Sequence, residues 1–231
     1  MTIKLWDLAG AEDDRRFSPY CWRARMALAH KGLQVDTLSL RFTDKDVIAF
    51  SGQKLVPVIV DGSRIVSDSW AIAVYLDEAY ADRPQLFSGE EGRTLSFFIK
   101  NWVERVVHPA VLRAILPDLF AHLHEKDKAY FRESREKRFG MALEAYAGEL
   151  NQALSALRAA VDPVRPVLVE SRFLSGRSPG YADYILFGAF QWARAVSPVR
   201  LLEPDDALFG WRERMLDLYN GLARSAKGYP V

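Results

Sequence analysis

Three short stretches of this 231-residue chain carry groups able to hold and activate a small charged ligand. In Phe17-Ser18-Pro19-Tyr20-Cys21, the proline sits where a helix can begin, because the first turn does not need the N–H that proline lacks. A helix start presents unpaired N–H groups and a partial positive charge, so it favours an anion, a thiolate included. The Ser18 hydroxyl either caps this helix or points at a ligand. In Val56-Pro57 the proline interrupts an apolar run, which places it at a sheet edge or end. There a cis bond exposes the backbone of Val56 to an extended peptide; the alternative is a plain edge proline. In Asp68-Ser69 another helix opens. Its N–H groups and the Ser69 hydroxyl suit a carboxylate, and the Asp68 carboxylate suits an ammonium. An α-amino acid end carries both charges, and a simple helix cap is the alternative.

The elements that position these groups follow from periodicity. Residues 1–82 alternate short β-like and helix-like runs. Ile3, Leu5 and Trp6 begin a strand, and Trp22, Met26 and Ala29 recur at helical spacing up to a stop at Gly32. Val35–Leu40 reads as a second strand, and Asp61-Gly62 between apolar runs marks a hairpin. Ile72, Tyr75, Leu76 and Ala79 then continue at 3.6-residue spacing. The order β-α-β, connector, β-β-α implies a mixed sheet covered by helices. Asp82-Arg83-Pro84 opens a linker to about Gly92, after which strand signals largely vanish. Thr94–Leu116 reads as a helix, kinked or shifted at Pro109. Lys126–Val161 reads as one long helical stretch burying Phe131, Phe139, Leu143, Tyr146, Leu150, Leu154 and Leu157. Asp162–Pro179 is rich in turn residues. Tyr181–Val196 and Gly210–Ala223 complete an all-helical bundle.

Composition narrows the function. Lys plus Arg total 31 and Asp plus Glu 30, a net charge of +1. No global field draws such a chain to nucleic acid or anionic lipid. The charge-dense run Lys126–Arg138 mixes signs and reads as a solvated helix face. The single cysteine, Cys21, excludes an internal disulfide framework and a cysteine-rich metal site. The N-terminus has no apolar signal core, and Ile185–Val196 is broken by Gln191 and Arg194. A cytoplasmic protein with neither membrane, nucleic-acid nor metal partner is expected.

Taken as a set, Ser18-Pro19-Tyr20-Cys21-Trp22-Arg23, then Val56-Pro57, then Asp68-Ser69-Trp70-Ala71-Ile72-Ala73-Val74-Tyr75-Leu76 resemble the cytosolic glutathione transferase superfamily. With Ala27-Leu28-Ala29-His30-Lys31-Gly32, the first motif is most similar to the serine-type members, bacterial β-etherase-like and related fungal enzymes among them. The resemblance implies an α/β thioredoxin-like, glutathione-binding domain over 1–82 and an all-α helical domain over 93–231 that contributes the electrophile site. It implies that Ser18 donates to the sulfur of glutathione, the co-substrate, and so stabilises its thiolate. Val56, with Pro57 cis, would pair with the cysteinyl backbone. Asp68 and Ser69 would hold the γ-glutamyl ammonium and carboxylate, and Lys54 or Gln53 the glycyl carboxylate. Tyr20, Trp102, Arg105 and His108 would line the site for a small apolar electrophile, with Asn101, Arg105 and His108 on one helix face; the alternative for this set is interdomain or dimer packing. A homodimer is implied. One departure is glycine at 180, where the family places a Ser or Thr cap ahead of Ala182-Asp183; this reads as a folding element. The implied activity is transfer of glutathione to an aromatic electrophile by substitution, addition or ether cleavage. A non-catalytic glutathione-binding protein is the alternative. A glutaredoxin-like reductase through Cys21 is disfavoured, because a serine at position 18 cannot form the mixed disulfide.

Overall fold

The computed structural model describes residues 2–230. Strands β1 (Ile3–Leu8), β2 (Val35–Leu40), β3 (Val58–Asp61) and β4 (Arg64–Ser67) form one mixed sheet in the order β2-β1-β3-β4. β1 and β2 are parallel, with Ile3 opposite Val35, and such a pair needs a crossover. Helix α1 (Pro19–His30) supplies it. β3 runs antiparallel to β1, with Leu5 opposite Ile59. In the hairpin, Asp61 pairs with Arg64, so the loop residues are Gly62-Ser63, and Gly62 takes the positive φ of 58°. Helix α2 (Ser69–Ala79) follows β4 directly. This sheet-and-helix unit, followed by a helical part, is the fold class read from the sequence.

The helical part begins at α3 (Gly89–Trp102), inside the segment read as linker. A single π-helical turn at Val103–Val107 separates α3 from α4 (His108–Ala121). The shift expected at Pro109 therefore takes the form of a π turn just before it. Helix α4 does not stop at Leu116; it runs through Pro117. The expected long helix over 126–161 is three: α5 (Glu125–Phe139), α6 (Leu143–Ala147) and α7 (Leu150–Val161). Gly140 and Gly148, at φ 69° and 60°, supply the breaks. Each helix restarts in its own phase, so Phe131, Leu143 and Leu157 are buried while Leu150 is exposed. The turn-rich segment contains a helix, α8 (Val164–Glu170), because Pro163 falls at its cap and Pro166 in its first turn, where proline is tolerated.

Helix α9 (Tyr181–Val196) is the centre of the molecule. All sixteen of its residues are buried, as expected of a helix apolar nearly all round. It packs along α1 so closely that a Cβ on Gly188 would lie 2.5 Å from the Pro19 carbonyl oxygen. Only glycine permits that approach. Helix α10 (Ala207–Gly221) closes the bundle and breaks at Leu218–Asn220, where Tyr219 and Asn220 are left-handed. Trp22 of α1 and Trp211 of α10 are fully buried; each stabilises the fold by about 2–3 kcal/mol through lost apolar exposure. No helix among the described residues is long and apolar enough to cross a membrane.

Candidate active site

The cis proline and the start of α2 are joined to each other, and α2 packs against α1. Ser18 is 4% exposed and caps α1, its Oγ accepting from the Cys21 N–H at 3.2 Å. That bond uses an oxygen lone pair and leaves the hydroxyl proton free to donate. The Val56–Pro57 bond is cis, and Val56 lies outside the β-ladder. The Pro57 carbonyl accepts from the Asp68 N–H at 3.2 Å, which ties the proline to the start of α2. Asp68 is left-handed, at φ 77°, and its Oδ1 accepts from the N–H groups of Trp70 and Ala71 at 2.9 and 3.1 Å. Capping by Asp68 frees its neighbour. Ser69 is 1% exposed, and its Oγ finds no hydrogen-bond partner among the described residues. An unpaired buried hydroxyl is costly, and at a helix N-terminus it suits an incoming anion. Gln53 and Lys54 are solvent-exposed, on the turn that precedes Val56.

Cys21 is fully buried against the likewise buried Asp7. Burial, reinforced by the Asp7 charge, pushes its thiol well above its ordinary value. A thiol in that state is inert.

Of the four residues expected to line the second subsite, Tyr20 and Arg105 are exposed, Trp102 is half-buried and His108 is buried. His108 lies against Tyr20, 7% exposed, with its ring edge-on to Tyr20 at 5.3 Å and to Trp192 at 5.8 Å. Arg23, fully buried, lies 4.7 Å from the Tyr20 ring centroid, donates to Glu104 at 2.6 Å and approaches His108 Nε2 at 3.4 Å. Lys100 donates to the same Glu104 at 3.0 Å. Burial holds the His108 imidazole well below its usual value, and the Arg23 charge adds to this. His108 is therefore neutral and able to accept from Arg23. Asn101, Arg105 and His108 do not share a face. The π turn rotates the rest of the helix by about one residue; Asn101 donates back to Phe97 O at 2.9 Å, Arg105 is exposed and His108 is buried.

The helix read as a solvated face is docked. Asp127 of α5 is fully buried and accepts from Phe42 N, Thr43 N and Thr43 Oγ1 at 3.0, 3.1 and 2.7 Å. Phe131 packs on Phe42 at 5.5 Å. Asp183 fills the role expected of a folding element. Its buried carboxylate accepts from Leu174 N, Ser175 N, Gly180 N and Trp211 Nε1. Glycine stands at 180 because a Cβ there would lie 2.6 Å from Ser175 Oγ and 3.1 Å from Leu86 O.

Sequence reasoning missed Arg23 as a partner of Glu104 and His108, and missed Glu104, Trp192 and Tyr181 entirely. Arg23 carried a signal it shares with Arg25, a charge within the otherwise apolar run Cys21–Leu28; Glu104 carried none.

Two family models match the chain in succession: glutathione S-transferase, N-terminal domain, over residues 17–79, and glutathione S-transferase, C-terminal domain, over 94–203. The chain belongs to the glutathione S-transferase superfamily. A glutathione S-transferase-like protein of Aspergillus flavus is 29% identical over 177 residues, 71% of this chain and 59% of that protein. Glutathione S-transferase 1 of Dianthus caryophyllus is 30% identical over 139 residues, 55% of this chain and 60% of that protein. The chain thus spans about three fifths of the length of these two relatives. Among solved structures, a Ceriporiopsis subvermispora glutathione S-transferase crystallised with glutathione is 26% identical, covers 94% of this chain and 96% of its own, and has a TM-score of 0.80. A glutathione transferase of Phanerochaete chrysosporium, also 26% identical, covers 96% and 93% with a TM-score of 0.77.

Proposed function

We propose that this superfamily member is a glutathione transferase of the serine type. It binds glutathione between the starts of α1 and α2 and activates the thiol with Ser18. The observation that carries the reading is Ser69 Oγ, buried and unpartnered among the described residues at the start of α2. The residues present fit glutathione. Ser69, through its hydroxyl and its own N–H, takes the γ-glutamyl carboxylate, since the N–H groups of Trp70 and Ala71 are spent on Asp68 Oδ1; Asp68, whose Oδ2 is free of cap bonds, takes the ammonium. The backbone of Val56, outside the ladder, takes the cysteinyl unit. Gln53 or Lys54 takes the glycyl carboxylate. The similarity to a transferase crystallised with glutathione supports this choice of ligand.

Ser18 spends an acceptor on its cap and keeps its proton for the sulfur. A hydroxyl donating to sulfur favours thiolate over thiol and lowers the pKa from about 8.5. The thiolate then attacks an apolar aromatic electrophile seated beside Tyr20, with ether cleavage among the reactions this permits. The protein contributes placement and a preset hydrogen-bond donor. A reductase role for Cys21 is disfavoured by its burial and raised pKa.

A homodimer through α3 completes the proposal. Leu95, Phe97 and Phe98 are exposed on that helix, Phe98 to 68%. Beside them a groove of about 720 Å³ is lined by Trp70, Val74, Phe87 and Phe97 together with the charged Asp77, Glu78, Glu90 and Arg93. Calorimetric titration with glutathione, followed by turnover of a chloronitrobenzene, tests the reading. Binding with turnover supports catalysis, binding without turnover over a broad electrophile panel leaves the non-catalytic alternative, and absence of binding removes both.

A further inference from the structure

The start of α2 is held from two sides. From the sheet side, Asp68 N–H donates to Pro57 O. From the helical side, the Tyr181 hydroxyl donates to Ser69 O at 2.5 Å. Tyr181 is the first residue of α9 and is fully buried. Its own N–H donates to Leu86 O at 2.9 Å. Its ring packs between Trp70 at 5.8 Å and Phe87 at 5.3 Å. The turn before it is clamped by the Asp183 carboxylate, which accepts from Gly180 N at 3.1 Å. A side chain fixed at its backbone, ring and hydroxyl is a rigid strut, and its tip rests on the residue whose Oγ is left unpaired.

We infer that Tyr181 is a positioning residue for the amino-acid end of the bound ligand, acting through Ser69. This rests on the glutathione reading above and deepens it, since it assigns part of the control of glutathione affinity to a helical-domain residue that lies behind the site. The reason is geometric. Hydrogen bonds to a carboxylate weaken steeply as donor angle and distance drift, and a group placed about 1 Å wrong loses most of its worth. Ser69 is the first residue of α2 and lacks the helical bonds that would otherwise fix its N–H side. Its carbonyl is the atom by which the bundle can hold it.

The test is Tyr181→Phe, which keeps the ring and removes the hydroxyl. Tyr184→Phe is the control: one turn along the same helix, also buried, its hydroxyl bonded to His30 and Tyr219 and not to α2. Glutathione affinity by calorimetry and KM for glutathione should weaken about three- to tenfold in Tyr181→Phe, the size expected for one buried hydrogen bond. The kcat at saturating glutathione and the ultraviolet thiolate titration of bound glutathione should not change, because Ser18 is untouched. Tyr184→Phe should leave glutathione KM unchanged. Equal KM in Tyr181→Phe and the unmodified chain overturns the inference. So does an equal rise in both variants, which is general loosening between the domains. A rise that comes with a shifted thiolate titration also overturns it. If the unmodified chain binds no glutathione, the functional reading fails and the inference falls with it, a result distinct from binding that Tyr181→Phe leaves untouched.

Discussion

The starts of α1 and α2 look alike in sequence, each a serine beside a helix, yet they are built for different tasks. At α1 the serine is itself the cap: Ser18 Oγ spends one lone pair on the Cys21 N–H and keeps its proton to donate. At α2 the cap is the preceding residue: Asp68 takes two N–H groups, and Ser69 is left with a whole hydroxyl. One start is a preset donor, suited to a sulfur. The other leaves a buried hydroxyl unsatisfied, which in the proposed reading meets an anion. Moving the cap by one residue decides which group the ligand meets.

The contrast is most exposed to test at Ser18. Ser18→Ala should lower turnover at about pH 7 roughly ten- to hundredfold, with recovery as pH rises toward the free thiol value of about 8.5. A pH profile of kcat checks this, and an unshifted profile removes Ser18 from thiol activation. Ser69→Ala should raise the glutathione KM about ten- to hundredfold, with kcat nearly kept, since a hydrogen bond to a charged group is worth roughly 1.5–3 kcal/mol. Steady-state kinetics at varied glutathione separate the two serines. Gly188→Ala should lower stability by about 1–3 kcal/mol, because its Cβ collides with Pro19 O and displaces the α1 start alone. Urea unfolding measures the loss.

Two smaller effects lie further from the two serines. His108 is buried neutral, so its folded pKa lies below the ordinary histidine value. Below that ordinary value the unfolded chain binds the extra proton, and stability falls as pH drops toward the depressed folded value. His30 shifts the same way, again through burial. Urea midpoints compared at about pH 7.5 and pH 5 should fall more steeply in the unmodified chain than in His108→Asn. Last, Cys21→Ala should leave turnover within about twofold, and native Cys21 should resist alkylation, as a fully buried thiol with a raised pKa does. Rapid labelling in the folded chain would contradict that.

The α1 and α2 starts were legible in the sequence because each is local: a proline at the first turn, an aspartate followed by serine, a proline between valines. The strands and the two-part layout were legible for the same reason. The cluster under Tyr20 was not, since Arg23, Glu104 and Trp192 come from three elements that meet only after folding. The π turn at Val103–Val107 has no compositional mark, and it moved Arg105 and His108 off the face that helical counting assigned them. Asp127 was hidden by its company. Among lysines and glutamates it looked like one more solvated charge, although it holds the loop at Phe42 and Thr43.

A single hydrogen atom, where every other amino acid carries carbon, fixes how near the two central helices lie. Randomising residue 188 should therefore enrich glycine among the most stable clones, with side chains larger than alanine lost first. If the proposed electrophile site beside Tyr20 is to take bulkier molecules, the loop ahead of Pro19 is the part to remodel, because Gly188 already meets Pro19 from behind.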